Sequence, residues 1–133
     1  MGKNNATPGK TANVSITVNE SNTASAMQSG SLPVFATPAL VAVMERAACK
    51  CLADCLEQGQ TSVGSGISVE HTAASPMGAE ITATATIEHV SGRKMEFAVT
   101  AVDRAGEIGK GKHTRVIVDA ERFMKRMAAP SRQ

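Results

Sequence analysis

Tryptophan and tyrosine are missing from this chain, and three phenylalanines make up its whole aromatic complement, 2% of 133 residues. A chain this poor in aromatics offers no stacking platform for single-stranded nucleic acid. Its core has to be assembled from Val, Ile, Leu, Met and many Ala. Small side chains fill little volume, so burial against a second copy becomes a natural way to complete the core. Charge of one sign is also scarce. The net charge is +2, with Lys and Arg scattered among acids, which gives no phosphate-binding face and no nucleic-acid partner. The basic end (Arg122, Lys125, Arg126, Arg132) reads as solvated surface. No stretch has the apolar length needed to span a bilayer, and no membrane partner is expected. Met1 to Ala12 is polar and lacks the apolar run of a signal peptide, so a cytoplasmic location is expected.

Cysteine is sparse as well. Cys49, Cys51 and Cys55 fall in one helical stretch, cannot pair completely, and lack the Cys-x-x-Cys or paired-His spacing of a zinc site. They read as small, reduced, apolar residues. No metal is expected, because neither His-Glu-x-x-His nor a carboxylate cluster is present. Gly9-Lys10-Thr11 has Asn4 where a phosphate loop needs its first Gly, and no strand precedes it. Met1-Gly2 has Ala6 where a myristoylation signal needs Ser or Thr. The absence of a Gly-x-Ser-x-Gly elbow excludes an α/β-hydrolase site.

What is present is a clear change of period. Residues 1–11 read as a flexible N-terminal segment, 12–127 as a single domain, and 128–133 as a flexible C-terminal tail. Val14, Ile16 and Val18 alternate with polar residues, as in a half-buried strand. Glu20 to Gly30 reads as a loop with room for a short helical turn. Thr37-Pro38 is a strong helix start, with Thr37 as the cap, and the helix is expected to run to about Leu56. Leu40, Met44, Ala47, Cys51 and Cys55 share one side of it, widened by Val41, Ala48 and Leu52. Beyond Gly59 the period becomes two. Val63, Ile67, Val69 and His71 share one face, then Ile81 to Ile87, then Met95 to Ala101, then Ile108 to Val118, with turns at Ser91-Gly92 and Asp103 to Gly106. A short helix over Glu121 to Met127 closes the chain. A strand, a long helix and four strands in an antiparallel meander make an α+β domain. One long helix wrapped by a curved antiparallel sheet is the hot-dog architecture.

Two residues break the apolar pattern. Glu45 lies on the stripe of Val41, Ala48 and Leu52, where a carboxylate is costly unless paired or protonated. Its bland alternative is a place at the stripe's edge, paired with Arg46 or a Lys. His71 continues the inward parity of Ile67 and Val69; a satisfied structural histidine is the bland alternative to a proton-transfer group. Thr37 puts a hydroxyl among the amides of a helix N-terminus, where an oxyanion is stabilised. His89 sits beside a turn, and His113 has the opposite parity from Val116 and Val118 and could face either side.

Val34-Phe35-Ala36-Thr37, with Leu40 to Cys49 after it, resembles the helix start of the fluoroacetyl-coenzyme A thioesterase family. Val69-Glu70-His71-Thr72-Ala73-Ala74-Ser75-Pro76-Met77-Gly78 resembles that family's histidine strand, and Glu107 to Val116 its last strand. The resemblance runs from about Leu32 to Phe123. It implies a hot-dog homodimer with sites at the subunit interface, acting on an acyl-CoA, with no cofactor beyond the coenzyme A of the substrate. It implies a catalytic set of Thr37, Glu45 and His71. It places Gly64 near the thioester carbonyl and Arg115 near the coenzyme A end, and Leu32 and Phe35 are the substrate-binding residues expected before the helix. The segment Ala26 to Pro33 departs from the family's lid in having no Phe, which points to a general short-chain acyl group in place of a fluorinated one. The competing expectations are a hot-dog hydratase acting on acyl-CoA and a non-catalytic acyl-CoA or small-ligand binding module.

Overall fold

The computed structural model describes residues 6–128. Five strands and three helices follow one another as β1 (Thr11–Thr17), α1 (Ala24–Met27), α2 (Thr37–Leu52), β2 (Gln60–His71), β3 (Glu80–Ser91), β4 (Lys94–Asp103), β5 (Gly106–Asp119) and α3 (Ala120–Met127), with a 3-10 turn over Ala53–Cys55. All strand pairs are antiparallel, in the order β1-β3-β4-β5-β2. The inner face of the sheet lies against α2. Leu40, Val43, Met44, Ala47, Ala48, Cys51 and Leu52 are buried there against Ile81, Ala83, Ala85, Ile87, Phe97, Val99 and Ala101. Gly109 allows the close approach, since a Cβ there would stand 2.8 Å from Leu40 Cδ2 and 3.2 Å from the Glu70 carbonyl oxygen.

The structure revises the expected four-strand meander. Only β3, β4 and β5 run consecutively, joined by two-residue turns at Gly92-Arg93 and Arg104-Ala105. β2 pairs with β5 and forms the far edge. The link from His71 to Glu80 is too long for a tight hairpin. It is held across the molecule by Phe35 N–H to Ser75 O (2.9 Å) and by Ser75 Oγ to Asp103 Oδ2 (2.7 Å).

A second revision concerns β2. Gly64 pairs with Arg115 but Gly66 pairs with Thr114, so Ser65 is an extra residue and the strand carries a bulge. Neighbouring residues of β5 face opposite ways, so the bulge reverses the parity of β2. Ile67, Val69 and His71 share the α2 side of the sheet, Ile67 still 37% exposed there; Val63, opposite Val116, faces outward, and Gly64 replaces it on the inner face.

The N-terminal segment is not loose over residues 6–11. Ala6 is buried, Gly9 N–H donates to Ile87 O at 2.8 Å, and Lys10 Nζ reaches Asp54 Oδ1 at 2.7 Å and the Cys51 carbonyl at 2.5 Å. The rest of the expected flexible segment, residues 1–5, lies outside the described residues, as do residues 129–133 of the expected tail. α3 begins on Asp119, whose side chain accepts from Arg122 N–H.

Candidate active site

The Thr37 side chain does not cap its helix. Ala36 holds the cap position, Thr37 is the first helical residue, and no side chain caps the amides of that turn. Its Oγ1 lies 2.8 Å from His71 Nδ1 instead. Phe35, 1% exposed, turns its ring edge-on to His71 with centroids 6.3 Å apart. Ala24, Val34, Phe35, Thr37, His71 and Ala73 line an open cleft of about 340 Å³ around this pair. Backbone bonds fix its wall, with Thr72 N–H donating to Ile108 O at 2.7 Å. Burial depresses the His71 pKa below its ordinary 6.5, partly opposed by the Ala73 backbone, so the ring is neutral at neutral pH. Its Nε2 is buried with no hydrogen-bond partner among the described residues.

Glu45 belongs to a different group. It does lie at the edge of the apolar stripe, its side chain 41% exposed, but its partners are neither Arg46 nor a lysine. Arg115 Nη1 approaches Glu45 Oε2 at 3.6 Å and His113 Nε2 approaches it at 4.0 Å. Gly64 completes the group: a Cβ there would stand 2.8 Å from Glu45 Oε2 and 3.3 Å from both Arg115 Nη1 and His113 Cε1. The bulge at Ser65 is what brings this glycine to the carboxylate.

Arg115, expected beside coenzyme A, is only 7% exposed and directs its guanidinium into the protein. Nε donates to Ser62 Oγ (2.9 Å), Nη2 to Ser62 O (3.1 Å), and Nη1 lies 3.1 Å from His113 Nε2. Leu32 is 63% exposed and does not line the cleft, whereas Phe35 does. His113, whose parity on β5 is compatible with either face, is 2% exposed and sits between β2 and Glu45. Its signal was the shared parity with Arg115 and Ile117 on β5.

Within one chain the expected set is therefore divided. Thr37 and His71 meet, while Glu45 lies eight residues further along α2, about 12 Å at 1.5 Å per residue. Along β2, seven residues separate Gly64 from His71, roughly 23 Å of extended chain. No cluster of three or more His, Cys, Asp or Glu able to hold a metal occurs among the described residues, and no helix there is long and apolar enough to cross a membrane.

The FlK family model, described as fluoroacetyl-CoA-specific thioesterase, matches residues 18–121. The fluoroacetyl-CoA thioesterase of Streptantibioticus cattleyicolor is 43% identical over 90 residues, covering 68% of this chain and 65% of that protein's length. A solved structure of the fluoroacetyl-CoA thioesterase FlK superposes with a TM-score of 0.86 at 33% identity, over 93% of this chain and 98% of the other. A Thermus thermophilus hypothetical protein of the thioesterase superfamily superposes with a TM-score of 0.83 at 28% identity, over 92% and 93% of the two chains.

Proposed function

The chain belongs to the fluoroacetyl-CoA-specific thioesterase family, and from that premise we propose that it hydrolyses a short-chain acyl-CoA to the free acid and coenzyme A. The observation that carries this reading is the Thr37–His71 hydrogen bond at the uncapped N-terminus of α2, inside the cleft. A thioester carbonyl placed there meets the Thr37 hydroxyl and backbone N–H at the positive end of α2, Pro38 having no N–H to add, and these polarise it and stabilise the developing oxyanion. Phe35, Val34 and Ala24 give the cleft apolar walls suited to a small acyl group. With no Phe between Ala26 and Pro33, nothing in that segment singles out a fluorinated one.

Glu45 is the proposed reactive carboxylate. Acting as a base, it takes a proton from water as the water oxygen bonds to the carbonyl carbon. Acting as a nucleophile, it forms a mixed anhydride that water then opens. In both routes one water is consumed, the carbon–sulfur bond breaks, and the thiolate leaves and is protonated. Neutral His71 serves the proton transfers. The reaction needs no group beyond water and the acyl-CoA.

The division of the set supports a homodimer with shared sites. β2 is a twelve-residue edge strand with an exposed Ile67 near its middle, the kind of edge that pairs with another strand. Antiparallel pairing of two copies about Ile67, with the bulge at Ser65 counted, brings the His71 end of one strand across from the Ser62–Gly64 end of the other. The Thr37–His71 pair of one copy then faces the Glu45 group of its partner. A cytoplasmic location belongs to the same reading.

The test is thiol release from a panel of short acyl-CoAs by the wild type and by Glu45→Ala. Release that is lost in the variant is expected. If no substrate releases thiol, hydrolysis is wrong; if Glu45→Ala releases it unchanged, the site assignment is wrong.

A further inference from the structure

His113 plays no part in the chemistry proposed above, yet it is the most deeply buried ionisable side chain beside Glu45. Its bonding fixes its form. Nδ1 lies 2.8 Å from the Gly66 carbonyl oxygen, which can only accept, so Nδ1 carries the hydrogen and donates it. Nε2 of the neutral ring is then bare and accepts from Arg115 Nη1 at 3.1 Å. That same Nη1 faces Glu45 Oε2 at 3.6 Å. Ser62 anchors the other side of the guanidinium through Nε and Nη2. A continuous line therefore runs from the β2 bulge through His113 and Arg115 to the carboxylate. The Phe97 ring of β4 lies 6.2 Å from the His113 ring by centroid, and Gly64, lacking a Cβ, leaves His113 Cε1 the space it occupies beside Arg115 and Glu45.

We propose that His113 is a positioning residue: as a neutral acceptor pinned to Gly66, it fixes the Arg115 guanidinium, and through it the Glu45 carboxylate, in reactive orientation. The proposal rests on the reading of Glu45 as the reactive carboxylate. Burial lowers the His113 pKa, with Arg115 adding to the effect against the pull of the Gly66 carbonyl and Glu45, which keeps the ring in the accepting form near neutral pH.

Three variants separate the roles. His113→Leu removes both bonds. His113→Asn keeps a donor near Gly66 but falls short of Arg115. His113→Gln offers an amide oxygen long enough to accept from Arg115. Two readouts are followed in the wild type and each variant: kcat and KM for thiol release from acetyl-CoA, and the nitrogen-15 spectrum of the Arg115 guanidinium. Expected are separate Nη1 and Nη2 signals in the wild type, merging in His113→Leu and His113→Asn as rotation is freed, and separate again in His113→Gln. In the same two deficient variants kcat falls by on the order of tenfold or more, with KM nearly unchanged, since a displaced reacting group costs rate and not binding. A folded His113→Asn protein with wild-type kcat and a wild-type guanidinium spectrum overturns the proposal, and so does His113→Gln behaving no better than His113→Asn. If His113→Leu does not fold, the Asn and Gln comparison decides alone. Glu45→Gln runs beside them: full turnover in that variant removes the Glu45 reading by itself, while the Arg115 spectrum still reports whether His113 holds the guanidinium.

Discussion

Thr37 Oγ1 and His71 Nδ1 lie 2.8 Å apart across 34 residues of sequence, joining the first turn of α2 to the last residue of β2. This bond ties the hydroxyl to the cleft, and the cap position of the helix falls on Ala36. A threonine cap contributes roughly 1 kcal/mol to its helix. Here that contribution is absent, so replacing the side chain has little of it to lose.

Thr37→Ala is therefore expected to fall steeply in activity while losing no cap and only the roughly 1 kcal/mol of one hydrogen bond in stability. Losing a group that assists proton transfer or holds the oxyanion costs about 100-fold in kcat. The urea midpoint is expected to fall only slightly below that of the wild type. Thiol release and urea unfolding measured on the same preparation check both halves. A large loss of stability with unchanged turnover per folded molecule would return Thr37 to a capping role.

The acid side of the stability profile follows from two histidines. Burial holds both His71 and His113 below their ordinary 6.5. Above that value both are neutral, folded or unfolded, and neither affects stability. As pH falls below 6.5, the unfolded chain takes up protons first, so stability falls through the window down to the folded values. Asp54 and Asp103, depressed by hydrogen bonds from Lys10 and Ser75, stabilise the fold above their ordinary 3.8 and weaken it only below, outside this window. The raised pKa of Lys10 gives stability that is fully present below 10.5. Urea midpoints measured from pH 8 to pH 5 are expected to decline from about 6.5, with a shallower decline in His113→Gln. A midpoint that holds level to pH 5 would contradict the burial of these rings.

The sequence carried the outline of this fold because periodicity is a local signal. α2, the inward residues of β3 and β4, and the turns at Gly92 and Gly106 all follow from spacing over a few residues. What was not legible is non-local. The pairing of β2 with β5 leaves no mark in either strand, and the link from Thr72 to Ala79 gave no hint that it crosses the molecule. One extra residue, Ser65, overturned the parity of Val63 and brought Gly64 to the inner face. His113 was ambiguous for a related reason: Val116 and Val118 looked like the inward set of β5, yet the inner face there takes His113, Arg115 and Ile117. The residue types of Thr37, Glu45 and His71 were visible as anomalies, but their distribution between two groups was not.

That distribution gives a decisive test of where a complete site forms. If Thr37 and His71 of one copy work with Glu45 of the other, a dimer holds two sites, each drawing on both chains. Thr37→Ala and Glu45→Ala are then each inactive alone, since every site lacks one member. In a mixed dimer one site carries both substitutions and the other carries neither. Mixing the two variants in equal amounts, with subunit exchange, puts about half of the molecules in mixed dimers by simple combination, and half of their sites are intact. Roughly a quarter of wild-type activity is therefore expected to return. Thiol release is followed over time after mixing, with sedimentation to confirm that the dimer persists. Sites built within one chain predict no recovery at all, because every chain would still lack one of its own residues.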